Sequence, residues 1–166
     1  AIARVSGPIT DPQFSGTATA QSPLTVDKVT FTDASTDFLL QGTQLFLSDI
    51  AATPTSGGFL GGTGQVQLTS GSPFTFQLAG RNLAAADIAA LYGFEPGFQI
   101  GTIAAEATVI GQSGVVATTV DWDAPNAQYP GSGTIDITNG TDLAFSNTVF
   151  AIGGGLVSGS GSLVNG

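Results

Sequence analysis

Apolar and polar residues alternate at period two in short segments along the whole chain. Phe74-Thr75-Phe76-Gln77-Leu78 alternates without a fault, and so do Val66-Gln67-Leu68 and Ile135-Asp136-Ile137. Leu45 and Leu47 keep the pattern, and Val116, Val120 and Trp122 share one parity. Successive side chains of a strand point to opposite faces, so each segment has one oily face and one wet face. β-branched residues and Phe fill the oily positions, which suits strands. Turn signals separate the segments: Ser22-Pro23, Pro54-Thr55-Ser56-Gly57-Gly58, Ser70-Gly71-Ser72-Pro73, Gln112-Ser113-Gly114, Pro130-Gly131 and Asn139-Gly140. Asn139-Gly140, between Ile137 and Leu143, predicts a hairpin, because both central residues of a type I′ turn need positive φ.

The pattern predicts strands near 2–7, 14–20, 26–33, 37–48, 59–68, 73–80, 98–110, 114–122, 129–138, 142–152 and 155–164, with Asp33 and Asp37 flanking a turn. One helix interrupts them near 84–92, where the Ala-rich run Ala84 to Tyr92 favours helix. Asn82 is placed to cap its start, and Gly93 to take the left-handed position after its end. Leu83, Ile88, Leu91 and Tyr92 lie roughly on one side, so so short a helix must pack on the sheet.

Composition removes several function classes. The chain has 166 residues, with three Lys and Arg against twelve Asp and Glu, a net charge of −9. A nucleic-acid binder needs a basic stripe to neutralise phosphates, and Arg4, Lys28 and Arg81 cannot build one. An anionic lipid surface has no attraction for such a chain either. With no His, Cys or Met, thiolate zinc sites, disulfides and His-based proton relays are excluded. Absent cysteine fits any redox compartment. No apolar run approaches the ~18 residues of a membrane-spanning helix.

The chain also repeats itself weakly. Ala1, Ala3, Val5 and Gly7 match Ala105, Ala107, Val109 and Gly111, and Leu45-Phe46 matches Val149-Phe150. Gly57-Gly58-Phe59-Leu60-Gly61-Gly62-Thr63-Gly64 matches Gly154-Gly155-Leu156-Val157-Ser158-Gly159-Ser160-Gly161 in the same order. Phe14-Ser15-Gly16 pairs with Tyr129-Pro130-Gly131, and Thr36-Asp37-Phe38 with Thr141-Asp142-Leu143. The simplest account is a repeat of ~100 residues, present about one and a half times, in a structure that grows along one axis. Residues 1–166 then read as a single segment of a longer protein.

The phrase Phe76-Gln77-Leu78-Ala79-Gly80-Arg81-Asn82-Leu83, a short helix, and then Gly97-Phe98-Gln99-Ile100-Gly101-Thr102-Ile103 resembles the repeats of the AsmA/TamB family of bacterial cell-envelope proteins. Gly57 to Gly71 and Phe98 to Gly111 carry the same likeness, and the low charge with long Thr/Ala/Gly strands resembles the cyanobacterial and chloroplast branch. The resemblance is one of pattern rather than of signature residues. It implies an elongated, curved antiparallel β-sheet, a half-pipe or β-taco, with an apolar concave face. It also implies a conduit in the periplasm or intermembrane space, anchored through parts outside this segment. Such a conduit carries lipid or helps assemble outer-membrane proteins. Its partners would be lipid acyl chains or unfolded outer-membrane strands, with a TamA-like barrel at the outer membrane.

A half-pipe needs an apolar face on every strand and no catalytic group. The candidate lining is Leu45, Leu47, Val66, Leu68, Phe74, Phe76, Leu78, Ile103, Val109, Val116, Val120, Ile135 and Ile137. A closed core built from the same residues reads identically. No catalytic residues, cofactor or metal are expected. Asp121-Trp122-Asp123 with Asn126, and Asp33 with Asp37, offer oxygen ligands for Ca²⁺, but solvated strand ends or turns explain them better. Glu106, inside an apolar strand, reads as facing outward. Gly153-Gly154-Gly155 and Gly159-Ser160-Gly161 lack phosphate-loop spacing and read as close strand packing or a bend. No G-x-S-x-G elbow occurs, and Asn139-Gly140-Thr141 reads as a turn rather than a glycosylation site. Two alternatives stand beside the conduit. One is a β-helix or adhesin-like stalk of a secreted surface protein. The other is a carbohydrate-binding β-sandwich that would use Tyr92, Trp122 and Tyr129.

Overall fold

The computed structural model describes residues 2–21, 23–26, 28–91, 97–140 and 142–164. The strands are β1 (Ile2–Ser6), β2 (Gln13–Thr19), β3 (Leu24–Val26), β4 (Val29–Gln41), β5 (Gln44–Pro54) and β6 (Phe59–Gln67). After β7 (Phe74–Ala84) comes the helix α1 (Ala85–Leu91). Then follow β8 (Thr102–Gln112), β9 (Val115–Ala124), β10 (Gly131–Thr138), β11 (Asp142–Ile152) and β12 (Gly155–Leu163). All twelve strands belong to one open antiparallel sheet, ordered β1-β2-β4-β5-β6-β7-β8-β9-β10-β11-β12, with β3 beside β4. Each strand on this path pairs with the next, so the chain meanders from edge β1 to edge β12. The expected all-β architecture forms as one open antiparallel sheet with one short helix.

Tight turns make the meander. Asn139 (φ 52°) and Gly140 (φ 71°) both take the left-handed conformation that their hairpin requires. Ser113-Gly114 returns β8 into β9 in the same way, with Gln112 opposite Val115. Gly153 (φ 59°) and Gly154 (φ 82°) form the β11–β12 turn rather than a strand bend.

Several expected boundaries are corrected. Asp33 and Asp37 flank no turn; both lie inside β4, where Asp33 pairs with Thr53 and Asp37 with Ser48. The turn falls instead at Gly42-Thr43, so Leu40 sits opposite Leu45. Residues 98–101 precede β8 instead of opening it, and Phe98 packs edge-on against Tyr129. Asn82 is not a helix cap. It occupies a bulge in β7 with φ 52°, between the register pairs of Gly80 and Leu83. Tyr92 and the expected Gly93 terminus lie outside the described residues.

Bulges bend the strands. The register slips between Leu47 and Ile50, Gly80 and Leu83, and Phe145 and Thr148. Asp49, Asn82 and Asn147 sit within these slips with φ of 50°, 52° and 51°. An extra residue kinks its strand and raises its twist, and Asn and Asp tolerate the left-handed region better than other side-chain-bearing residues. Each slip also keeps the flanking residues on one face despite their odd spacing.

Among the described residues no second layer covers this sheet. The chain exposes 10124 Å², against ~7,600 Å² for a compact monomer of its mass. The buried apolar residues are few: Phe31, Ala52, Pro54, Leu83, Ala85 and Ala124, with no buried polar residue among the described ones. Apart from Ala85, they sit toward the strand ends on the side where α1 begins. There the Gln128 N–H donates to the Gln99 carbonyl at 2.8 Å.

Candidate functional site

Residues directly opposite each other in an antiparallel pair share a face, so the register sorts the side chains. Leu45, Val66 and Phe74 lie in one cross-strand row that continues through Gly111 to Val116. A second row runs from Leu47 through Gly64, Phe76, Val109 and Thr118 to Ile137. A third joins Leu78, Ala107, Val120 and Ile135. Ile103 pairs with Leu83, on the same side. The structure thus brings all but one of the expected lining residues onto one continuous face. Leu68 is the exception. It lies just beyond β6, 51% exposed, its N–H bonded to the Thr43 carbonyl. Strand pairing ends there because the chain turns through Ser70-Gly71-Ser72.

The same face holds residues the alternation did not single out. Phe38, Leu40 and Phe14 extend the rows toward β1. Ile50, Leu60, Leu143, Phe145 and Phe150 extend them elsewhere, and Trp122 joins them with the parity it shares with Val120. Bulges hid Ile50 and Phe150, whose spacing to the neighbouring apolar residues is shifted. Cross-strand parity was the signal for the others.

Most of these side chains are half-buried although no layer lies over them. Part of the reason is a large-on-small fit. A methyl group added at Gly64, Gly111 or Gly131 would overlap the ring of Phe76, Phe74 or Phe150 across the strand pair. Each ring therefore lies down over bare backbone. Phe74 and Phe76 also contact each other, with centroids 5.7 Å apart. Trp122 lies 5.9 Å from Phe150, and its indole Nε1 is buried with no acceptor among the described residues.

The opposite face carries the charges, beside a few apolar side chains such as Leu39, Phe46, Ile110 and Val149. Arg4, Asp33, Asp37, Glu106, Asp121, Asp123 and Asp136 all take it, and no charged residue occupies a register position on the apolar face. Its carboxylates are held by neighbouring hydroxyls: Thr17 donates to Asp37 at 2.6 Å, Thr134 to Asp121 at 2.6 Å and Thr119 to Asp136 at 2.7 Å. Glu106 is exposed here, directly opposite Asp121. Asp121 and Asp123 do share a face, but no group of three or more potential metal ligands gathers among the described residues.

The architecture sets aside the two alternative folds. A parallel β-helix needs parallel rungs, and every described pairing is antiparallel. A β-sandwich needs a second sheet. Scanned against protein-family models, curated proteins and solved structures, the chain has no match.

Proposed function

We propose that this chain is a groove segment of an envelope-spanning conduit of the AsmA/TamB kind, and that its apolar face holds lipid acyl chains. The observation that carries the reading is one uncharged apolar face crossing every strand of a sheet that no second layer covers. Covering such surface gains ~25 cal/mol per Å². An acyl chain has no hydrogen-bonding groups to leave unpaired, which matches a face without charges. A peptide or a sugar would leave its polar groups unpaired there, at a cost of about 1–3 kcal/mol each. The chain contributes contact and exclusion of water, with no chemical step. The reading places the parent protein between inner and outer membranes, with a TamA-like barrel as its outer partner.

The test is lipid carried through purification. The chain expressed in a bacterial envelope and purified without detergent is extracted, and its lipids are measured by mass spectrometry. Near-stoichiometric acyl lipid is expected for the native sequence and a loss of most of it for Phe76→Asp, with both folded by circular dichroism. A lipid-free native chain of intact fold overturns the proposal.

A further inference from the structure

Among the described residues one buried side-chain polar atom has no hydrogen-bond partner, the indole Nε1 of Trp122. A buried donor without an acceptor is costly and rare, so it asks for a reason. The ring lies on the apolar face against Phe150, and Trp122 pairs with Gly133 across the strands. A Cβ placed at Gly133 would stand 3.2 Å from that Nε1 and 2.8 Å from the Thr148 hydroxyl oxygen. Two hydrogen-bonding groups thus converge on one notch, open because residue 133 has no side chain. The Thr148 hydroxyl donates to the Ser146 carbonyl over a long 3.3 Å, so it is weakly held.

The same backbone frame occurs twice in the sheet. The run β4-β5-β6 recurs as β10-β11-β12, with Ser48-Asp49 level with Ser146-Asn147 rather than Leu45-Phe46 with Val149-Phe150. Asp49 and Asn147 take nearly the same φ, 50° and 51°. Each is followed by a residue opposite glycine, Ile50 on Gly62 and Thr148 on Gly159. In the first occurrence the notch is filled. Thr36 stands there where Gly133 stands in the second, and its hydroxyl donates to the Ser48 carbonyl at 2.9 Å. Its neighbours are Ala18 and Ile50, whose side chains have no polar atom. The second occurrence has Trp122, Gly133 and Thr148 in place of Ala18, Thr36 and Ile50. Only there do two donors from different strands face one gap.

We propose that Trp122, Gly133 and Thr148 anchor the ester carbonyl of an acyl lipid. The inference rests on the groove reading above and names the polar group that the groove takes along with the chain. While the face is wet, the ring keeps its apolar contact by lying down against Phe150. Once an acyl chain covers the face, the ring loses no such contact by turning outward, and its N–H gains an acceptor. The Thr148 hydroxyl donates to the same oxygen. A neutral carbonyl fits better than a carboxylate or phosphate, because the strand cations Arg4 and Arg81 both take the other face and the chain carries −9. Val120 and Ile135, paired one row further in, receive the first methylenes.

The chain has one tryptophan, so a ¹⁵N-labelled sample shows one indole N–H signal. The full chain is titrated with 1-palmitoyl lysophosphatidylcholine and with its 1-hexadecyl ether analogue, each below its micelle concentration. The two probes share headgroup and chain length and differ in the carbonyl. The ester should move the indole signal downfield and bind about threefold to tenfold more tightly than the ether, the worth of one net hydrogen bond. Trp122→Phe keeps a ring and removes the donor, and should bind the two probes alike. Thr148→Val should lose part of the preference, with an unchanged circular dichroism spectrum. Phe76→Asp should weaken both probes and leave their ratio as it was. Equal binding of ester and ether by the native chain overturns the anchor and leaves the groove standing. So does an ester preference that survives in both Trp122→Phe and Thr148→Val. A folded native chain that binds neither probe overturns the groove reading, and the anchor falls with it.

Discussion

Gly64 and Phe76 show how a sheet without a second layer shelters its apolar side. The ring covers the space a side chain at 64 would fill, so the glycine belongs to the packing as much as the phenylalanine does. Gly64→Ala should cost about 1–2 kcal/mol, the overpacking penalty less the entropy a glycine loses on folding. Gly161→Ala, with open space around its Cβ, should be neutral or slightly stabilising; urea denaturation of both variants reads the contrast. On the wet face Glu106 stands opposite Asp121, and like charges in that position destabilise a strand pair. Glu106→Thr should raise stability by about 0.2–1 kcal/mol, and the gain should shrink at 1 M salt, where screening is short-ranged. The alternation made the apolar face legible, Leu68 apart, and Glu106 as a residue of the other face. The glycine under each ring was not legible, because which glycine meets which ring depends on register between strands, and one strand's sequence does not state it.

At the scale of elements, the errors all fall where period two breaks. Ala34-Ser35-Thr36 between Asp33 and Asp37 looks like a polar turn. Yet the Thr17 hydroxyl bonds to Asp37 and that of Thr53 to Asp33, which lets β4 run through. The true turn at Gly42-Thr43 was hinted at by Leu40 and Leu45: an odd spacing of apolar residues holds one face only across a return or a bulge. The bulges left the same trace, with Leu47 and Ile50 three apart on one face. Asn82 marks the bulge in β7 because its φ of 52° suits Asn and costs most other residues about 1–2 kcal/mol. Asn82→Val should therefore lose at least that much in thermal or chemical unfolding, and Asn82→Gly should be close to neutral. Equal stability of the two would remove the bulge from the account of curvature.

At the scale of the whole molecule, the surface is the informative quantity. A chain of this mass exposing 10124 Å² has one layer, and the alternation alone could not separate a groove from a packed interior. Period two says that each strand has an oily side; it does not say whether another layer closes over it. The strand order answers part of it: among the described residues every strand belongs to one open sheet, and none is left to form a second. The most direct measurement of the central claim is a photo-crosslinking pair at adjacent residues of β7. A benzophenone amino acid replaces Phe76 on the apolar face in one variant and Gln77 on the wet face in the other, and each is irradiated with phospholipid vesicles. The account predicts lipid adducts at 76 and none above background at 77. Equal labelling at both positions, or none at 76 in a folded chain, would contradict it.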